Sequence, residues 1–243
     1  MTRLPSLLSP QSDAPFPDAS SALAEPDGLL AVGGDLSPTR LLNAYRRGIF
    51  PWFSEGQPIL WWSPDPRLVF LTDAVKLSSR FRRTLKTSAW QIRADTAFRD
   101  VIAACAQTPR PGQRGTWISG EMIDAYTEMH RLGHAHSVEV FDGERLVGGI
   151  YGMSVGRMFF GESMFSGASG GSKVALAALA HRLQEWSWPL IDAQVENDHL
   201  LSLGAVGVAR SAFIAKVETL SAEPAPAGHW TQRFGTLPAK ALA

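Results

Sequence analysis

Three polar side chains stand in apolar segments of this 243-residue sequence, and each has chemistry to offer. Asp192 and Gln194 interrupt LIDAQV, and Glu162 interrupts RMFFGESMF. Side chains alternate along a strand, so Leu190, Asp192 and Gln194 share one face, while Ile191, Ala193 and Val195 share the other. The Cα atoms of Asp192 and Gln194 then lie roughly 6.5–7 Å apart, close enough to act on one substrate group. By the same alternation Glu162 joins Met158, Phe160 and Met164, as a polar anchor at the mouth of an apolar pocket. A purely structural reading competes for all three: a buried polar group satisfied by a partner and tying down a loop.

Two further sets suggest nucleic acid. Residues 76–93 (KLSSRFRRTLKTSAWQIR) carry Lys76, Arg80, Arg82, Arg83, Lys86 and Arg93 with no acidic residue. On a helix Arg80, Arg83 and Lys86 recur in three-residue steps near one face and could meet phosphates. Trp52, Trp61, Trp62 and Trp117 offer flat indoles for stacking bases, worth ~1–3 kcal/mol per base. A solvated face and ordinary packing are the plainer alternatives. Other signals are weak. GASGGSK lacks the Walker order of Gly-Lys-Ser/Thr, His134 and His136 have no partners at metal-ligand spacing, and Cys105 reads as a small core residue.

These residues need elements to hold them. Residues 1–34 show no sustained period and read as an irregular arm. Ser37-Pro38 opens a helix with Leu41, Leu42 and Tyr45 at helical spacing, stopped near Gly48. The Pro- and Trp-dense IFPWFSEGQPILWWSPDPR fits neither helix nor strand. Asp95 is placed to cap a helix burying Phe98, Val101 and Ile102, and a Pro/Gly/Arg-rich loop (QTPRPGQRGT) follows. Ser119 caps the next helix, with Met122, Tyr126, Met129 and Leu132 as its stripe. HSVEVF and RLVGGIYGMSV form a hairpin about Asp142-Gly143, and Gly156 reverses the chain into RMFFGESMF. Ser172 caps a helix with Leu176, Leu179, Leu183 and Trp186 on one stripe, ending before Pro189. LIDAQV is a strand, NDHLLSLGA a turn and short helix, and the last helix starts near Ser211. The tail after Ala222 reads as loose, with Trp230 and Phe234 able to dock. The order β-β-β-α-β-α predicts an α+β fold around a mixed sheet.

Composition limits the function classes. Hydrophobic residues make up 45% and charged residues 19% of the chain, which excludes a disordered, highly charged polymer. Net charge is zero, so a nucleic-acid partner would need a local basic patch. A single cysteine allows no intrachain disulfide and fits a reducing compartment. No signal-peptide core and no apolar run of about 20 residues is present, and a cytoplasmic chain without a membrane is expected.

In this order the segments EPDGLLAVGGDLSP, YRRGIFPWF, PILWWSPDPR, GTWIS, LGHAHSVEV, LVGGIYG, FGESMFS, SKVAL and LIDAQVENDHLLSLGA resemble the leucyl/phenylalanyl-tRNA–protein transferases. The resemblance runs from about residue 25 to residue 215. It implies a small N-terminal domain, residues 1–66, and a larger acetyltransferase-like domain, residues 67–243. It implies a monomeric enzyme moving Leu or Phe, less readily Met, from aminoacyl-tRNA to proteins beginning with Arg or Lys, marking them for regulated degradation. No metal or soluble cofactor is implied. Asp192 and Gln194 match the family's catalytic pair. Trp52 and Trp117 match aromatic residues near the terminal adenosine, and Glu162 and Asn197 match polar groups near the aminoacyl ester. Ile150, Met164, Leu176, Leu179 and Ile191 line up with the side-chain pocket. Arg83 and Lys86 match tRNA-contacting positions, with Arg80 beside them.

A glutamine amide is almost non-basic. The expected role of Gln194 is therefore to orient the attacking amine, with Asp192 holding Gln194 in place and favouring the positive charge that develops on nitrogen, and with the ribose hydroxyl of the tRNA as a proton shuttle. Two other readings stay open at this point: an acetyl-CoA-dependent N-acetyltransferase, and a non-catalytic tRNA-binding module.

Overall fold

The computed structural model describes residues 4–109, 116–226 and 228–243; most of the expected loop at 107–116 lies outside them. The first sheet comprises β1 (Ser6–Leu8), β2 (Leu29–Gly33), β3 (Phe50–Pro51) and β4 (Leu60–Trp62), in the order β1-β2-β4-β3. Two sequence expectations change here. The supposed irregular arm supplies β1 and β2, and the Pro/Trp-dense segment supplies β3 and β4. Strands of two to five residues are too short to show a period, and pairing such as Leu29 with Trp62 and Val32 with Leu60 defines them instead. Between β2 and β3 lies α1 (Pro38–Tyr45), where the Ser37 hydroxyl accepts from Arg40 N and Pro38 takes the first position. Gly48 follows at φ 67°, and a Cβ there would sit 2.9 Å from the Phe213 ring, so the turn requires glycine.

The second sheet begins with β5 (Arg67–Leu71). After α2 (Ser79–Leu85), β6 (Gln91–Ala94), α3 (Phe98–Gln107) and α4 (Gly120–Arg131) come the long strands β7 (Ala135–Asp142), β8 (Arg145–Val155) and β9 (Met158–Ser166). Then follow α5 (Gly171–Glu185), β10 (Leu190–Gln194), α6 (Asp198–Ser202), β11 (Val206–Val208), α7 (Arg210–Ala222), α8 (Thr231–Phe234) and β12 (Leu237–Pro238). The strand order is β11-β5-β10-β9-β8-β7-β6-β12. Every pairing in this sheet is antiparallel except β9 with β10. This is the mixed-sheet α+β architecture expected, with the larger unit C-terminal.

Alternation sends strand side chains into two cores. One gathers Tyr151, Met153 and Phe160 with residues of α1, α3, α4, α7 and the first sheet. The other gathers Val138, Val140 and Phe159 with α5, Leu85 of α2 and the C-terminal segment. Cys105 is fully buried in the first, as expected of a small core residue.

Four local expectations are corrected. Asp95 does not cap α3. It sits at φ 58°, and its carboxylate accepts from Ser137 N (2.9 Å) and Trp230 N (2.6 Å) and pairs with His136 Nδ1 (2.8 Å). The N-cap of α3 is Ala97, which makes no side-chain bond. Ser172 does not cap α5: Gly170, at φ 88°, leads into the helix, and Ser172 N donates to Ser166 Oγ at 2.9 Å. Leu132 lies beyond the last turn of α4 and is exposed, while Met122, Tyr126 and Met129 are buried. The tail is docked rather than loose. Trp230 stacks on His136 with ring centroids 3.9 Å apart, and Leu237 pairs with Ile92.

Candidate active site

The site lies where β10 leaves its neighbours. β10 pairs with β9 only through Ile191↔Phe159 and Asp192↔Phe160, and its register against β5 shifts between Asp192 and Gln194. Gln194 takes φ 62°, a left-handed conformation uncommon for a residue with a Cβ. Strict alternation therefore fails after Asp192. Ile191, Asp192, Ala193, Gln194 and Val195 all reach the cavity that opens between the parted strands.

Asp192 is fully buried and closed by an ion pair that the sequence did not reveal. Its Oδ1 accepts from Arg67 Nε at 2.7 Å and from Gln194 backbone N at 2.9 Å; its Oδ2 accepts from Arg67 Nη2 at 2.6 Å. The guanidinium lies 4.6 Å from the ring centroids of both Phe50 and Phe213, and Nη1 donates to the Gly48 carbonyl at 3.1 Å. This fork spans the first sheet, β5 and α7, so Asp192 anchors the turn of Gln194 to three elements.

Glu162 is held by residues from two distant helices. Its Oε1 accepts from Tyr45 at 2.7 Å and from Gln194 Nε2 at 2.8 Å, and its Oε2 accepts from Tyr126 at 3.0 Å. The Tyr45 and Tyr126 hydroxyls also touch each other. Burial pushes the Glu162 carboxyl up to about 7; the tyrosine hydrogen bonds oppose that rise, and the charge of Asp192 adds to it. With Glu162 ionised, two hydroxyl protons must serve three oxygen–oxygen contacts, and protonation supplies a third. Burial, followed by the charge of Glu162, pushes both tyrosines well above their ordinary range.

The cavity encloses about 260 Å³. Ile150 of β8, Met164 of β9, Leu176 of α5 and Ile191 make its apolar wall, joined by Phe50 and Phe70. Trp52 and Trp117 line it too, as do Glu162, Gln194, Asn197 and His199. Asn197 caps α6, its Oδ1 accepting from Leu200 N at 3.0 Å. Leu179 is not brought to the cavity: it lies fully buried in the core under α5, about one turn beyond Leu176. Arg80, Arg83 and Lys86 lie outside the cavity, exposed on and just after α2. The Phe81 ring of α2 packs so closely on Gly170 that a Cβ there would approach it to 2.5 Å. The basic helix thus abuts the entry to α5, the helix that supplies Leu176.

Sequence reasoning missed Arg67, Tyr45, Tyr126 and His199 as site residues. Tyr45 and Tyr126 were visible as members of helical stripes, and Arg67 as the lone charge opening the apolar RLVFL. His199 carries no such signal in NDHLLSLGA. Away from the cavity, Asp95, His130 and His229 bring one potential ligand atom each within 4.8 Å of one another. Two of the three are already occupied: Asp95 holds the three partners named above, and His130 Nδ1 donates to the Ala135 carbonyl at 2.8 Å. The group ties the C-terminal segment to the sheet. Among the described residues no helix is long and apolar enough to cross a membrane.

A family model described as leucyl/phenylalanyl-tRNA protein transferase matches residues 69–218, and one for the N-terminal domain of the same family matches residues 34–65. A leucyl/phenylalanyl-tRNA–protein transferase of Xanthomonas campestris pv. campestris (strain B100) is 67% identical over 240 residues, covering 99% of this chain and 96% of that protein. One of Xylella fastidiosa (strain 9a5c) is 62% identical over 231 residues, 95% of each chain. Among solved structures, a conserved protein of unknown function from Staphylococcus epidermidis ATCC 12228 aligns with a TM-score of 0.42 at 10% identity, over 74% of this chain and 68% of that one. At that score the likeness bears on neither fold nor function.

Proposed function

The chain belongs to the leucyl/phenylalanyl-tRNA–protein transferase family, and from that premise we propose how its cavity carries an amino acid from tRNA to protein. It is an aminoacyltransferase with aminoacyl-tRNA and a protein as substrates. The observation that carries the reading is the cavity itself: an apolar wall with the Gln194–Glu162 pair at its polar edge. The side chain of Leu or Phe, and less readily Met, occupies the apolar part. Such a pocket discriminates by only ~1–3 kcal/mol per methylene, so mixed acceptance is expected. Trp52 and Trp117 flank the terminal adenosine, Asn197 lies near the ester, and Arg80, Arg83 and Lys86 meet phosphates further along the tRNA. Residues 1–66 act as a small domain whose Phe50 and Trp52 close a cavity in the larger domain, 67–243. The acceptor is a protein beginning with Arg or Lys, which becomes marked for regulated degradation. The enzyme works as a cytoplasmic monomer.

The acceptor's α-amine attacks the ester carbonyl; the nitrogen–carbon bond forms and the carbon–oxygen bond to the ribose breaks. Gln194 Nε2 is committed to Glu162, which leaves Oε1 to accept from the amine and aim its lone pair. Asp192 acts on Gln194 through the backbone, not the side chain, and is a positioning residue. Its charge is matched by Arg67, so the carboxylate left to favour positive charge developing on nitrogen is Glu162.

Incubation with labelled leucyl-tRNA and a peptide beginning with Arg tests the reading. Label should enter the peptide without acetyl-CoA, and Gln194→Ala and Asp192→Asn should slow single-turnover transfer while binding of aminoacyl-tRNA persists. Absence of label in the peptide with the wild-type protein would overturn the reaction proposed.

A further inference from the structure

Aminolysis of an ester has a proton to relocate. The attacking amine becomes positively charged as its lone pair closes the new bond, and the departing ribose oxygen leaves as an alkoxide. Unless a group takes the first proton and supplies the second, the nitrogen is expelled again in preference to the ribose. Gln194 cannot serve, because an amide neither takes nor gives a proton at neutral pH.

Among the described residues, three titratable groups line the cavity: Asp192, Glu162 and His199. Both oxygens of Asp192 are taken by Arg67, and one also by Gln194 N. Both oxygens of Glu162 are taken by Tyr45, Tyr126 and Gln194. His199 differs from both. It is the second residue of α6, it is exposed at the cavity wall, and among the described residues its ring makes no hydrogen bond. Three polar residues of the segment divide the work: Gln194 aims, Asn197 caps α6 and so fixes the direction of the helix, and His199 stands at the cavity wall where a substrate can reach it.

We propose that His199 is a catalytic residue of the transfer, accepting the proton from the attacking α-amine and returning it to the leaving ribose oxygen. The step balances within the substrates already named: the amide bond forms, the ester bond breaks, one proton crosses through a ring nitrogen, and the imidazole ends neutral as it began. The proposal rests on the aminoacyl-transfer reading of the cavity. The charges around the ring suit the task. Partial burial, then the ammonium of Lys173 on α5, hold His199 below the ordinary histidine range, so the ring is neutral and able to accept at pH 7. A lowered basicity also makes the imidazolium a ready donor to the alkoxide. Glu162 on β9 and Asp192 on β10 are the carboxylates of the same cavity, and Glu196 and Asp198 are those of its own segment.

The test is single-turnover transfer from leucyl-tRNA to an Arg-peptide, both saturating, by the wild type, His199→Asn and His199→Gly. The saturating rate should fall by ~10²-fold or more with little change in the concentration of either substrate needed for half-saturation. Added imidazole should restore part of the rate of His199→Gly, and substituted imidazoles should restore it in an order that follows their pKa. A structural role would leave no such dependence. The assignment is overturned by wild-type rates in both variants, by weaker aminoacyl-tRNA binding with an unchanged saturating rate, or by a slow glycine variant indifferent to imidazole. Transfer by the wild type separates the two readings. If it transfers no label, the reaction and the role of His199 fall together; if it does, the reaction stands and the variants decide His199 alone.

Discussion

Arg67→Met removes the fork that closes Asp192, and its consequence can be worked from the geometry. The Asp192 side chain is fully buried and that of Arg67 is 1% exposed, so the value of a solvent-screened surface pair, about 0–1 kcal/mol, does not apply. Removing one partner of a buried pair leaves an uncompensated charge and costs about 3–5 kcal/mol. Among the described residues the Gln194 backbone N–H alone would remain on the carboxylate, and the Gly48 carbonyl would lose the donor from Arg67. Methionine offsets part of this, since its thioether fits between the Phe50 and Phe213 rings that flank the guanidinium. A net loss of about 4 kcal/mol lowers the melting midpoint of a chain this size by roughly 8–16 °C. The assay is a double-mutant cycle: thermal and urea midpoints of the wild type, Arg67→Met, Asp192→Asn and the double variant. The double variant should recover more than half of the loss in Arg67→Met, because no buried charge is left unpaired, while its amide still accepts from Gln194 N. Transfer should remain impaired, because the turn at Gln194 has lost its anchor. An Arg67→Met protein within about 1 kcal/mol of the wild type would refute the reasoning, and so would a double variant showing the simple sum of the single losses.

Three other outcomes are expected. Burial, opposed by bonds from Ser137 and Thr96, pushes Glu139 up to about 7, above its unfolded value of 4.5. A raised carboxyl keeps its proton in the folded state only, so stability is fullest below the unfolded pKa and falls as pH rises toward the folded one. Glu139→Gln removes this slope and should gain about 3 kcal/mol on the wild type between pH 4.5 and pH 8, as read by urea unfolding at each pH. Leu176→Phe fills part of the cavity wall and should depress transfer of Phe more than of Leu, by roughly tenfold in competition between the two charged tRNAs. Replacing Arg80, Arg83 and Lys86 together by Ser should weaken tRNA binding and flatten its log–log salt dependence by about 2–3 units, without changing the saturating transfer rate.

Local pattern carried much of the fold. The Ser37-Pro38 start, the Ser119 cap and the hairpin of β7 and β8 depend on residues within a turn of one another, and all three form, though the hairpin turns on Gly143 and Glu144 rather than Asp142 and Gly143 because Asp142 pairs with Arg145. Pattern failed where a competing bond came from far away. Asp95 is drawn off α3 by Ser137 and Trp230, 42 and 135 residues distant. It failed again where strands were too short to show a period, as in β1 to β4.

At the site, the identities are legible in the chain alone: an acid and an amide in LIDAQV, a Glu162 among apolar neighbours, and an ordered set of motifs pointing to one family. What these residues do to one another follows from the assembled fold. Arg67 reaches Asp192 across 125 residues, and Tyr45 reaches Glu162 across 117. Gln194 leaves the common face because β10 parts from β9 directly after Asp192. The physical reason is that periodicity reports which way a side chain points and whether it is buried, properties of a few neighbouring residues. A buried polar group must also find its partner, and that partner is chosen by strand order and packing, which no stretch of sequence contains.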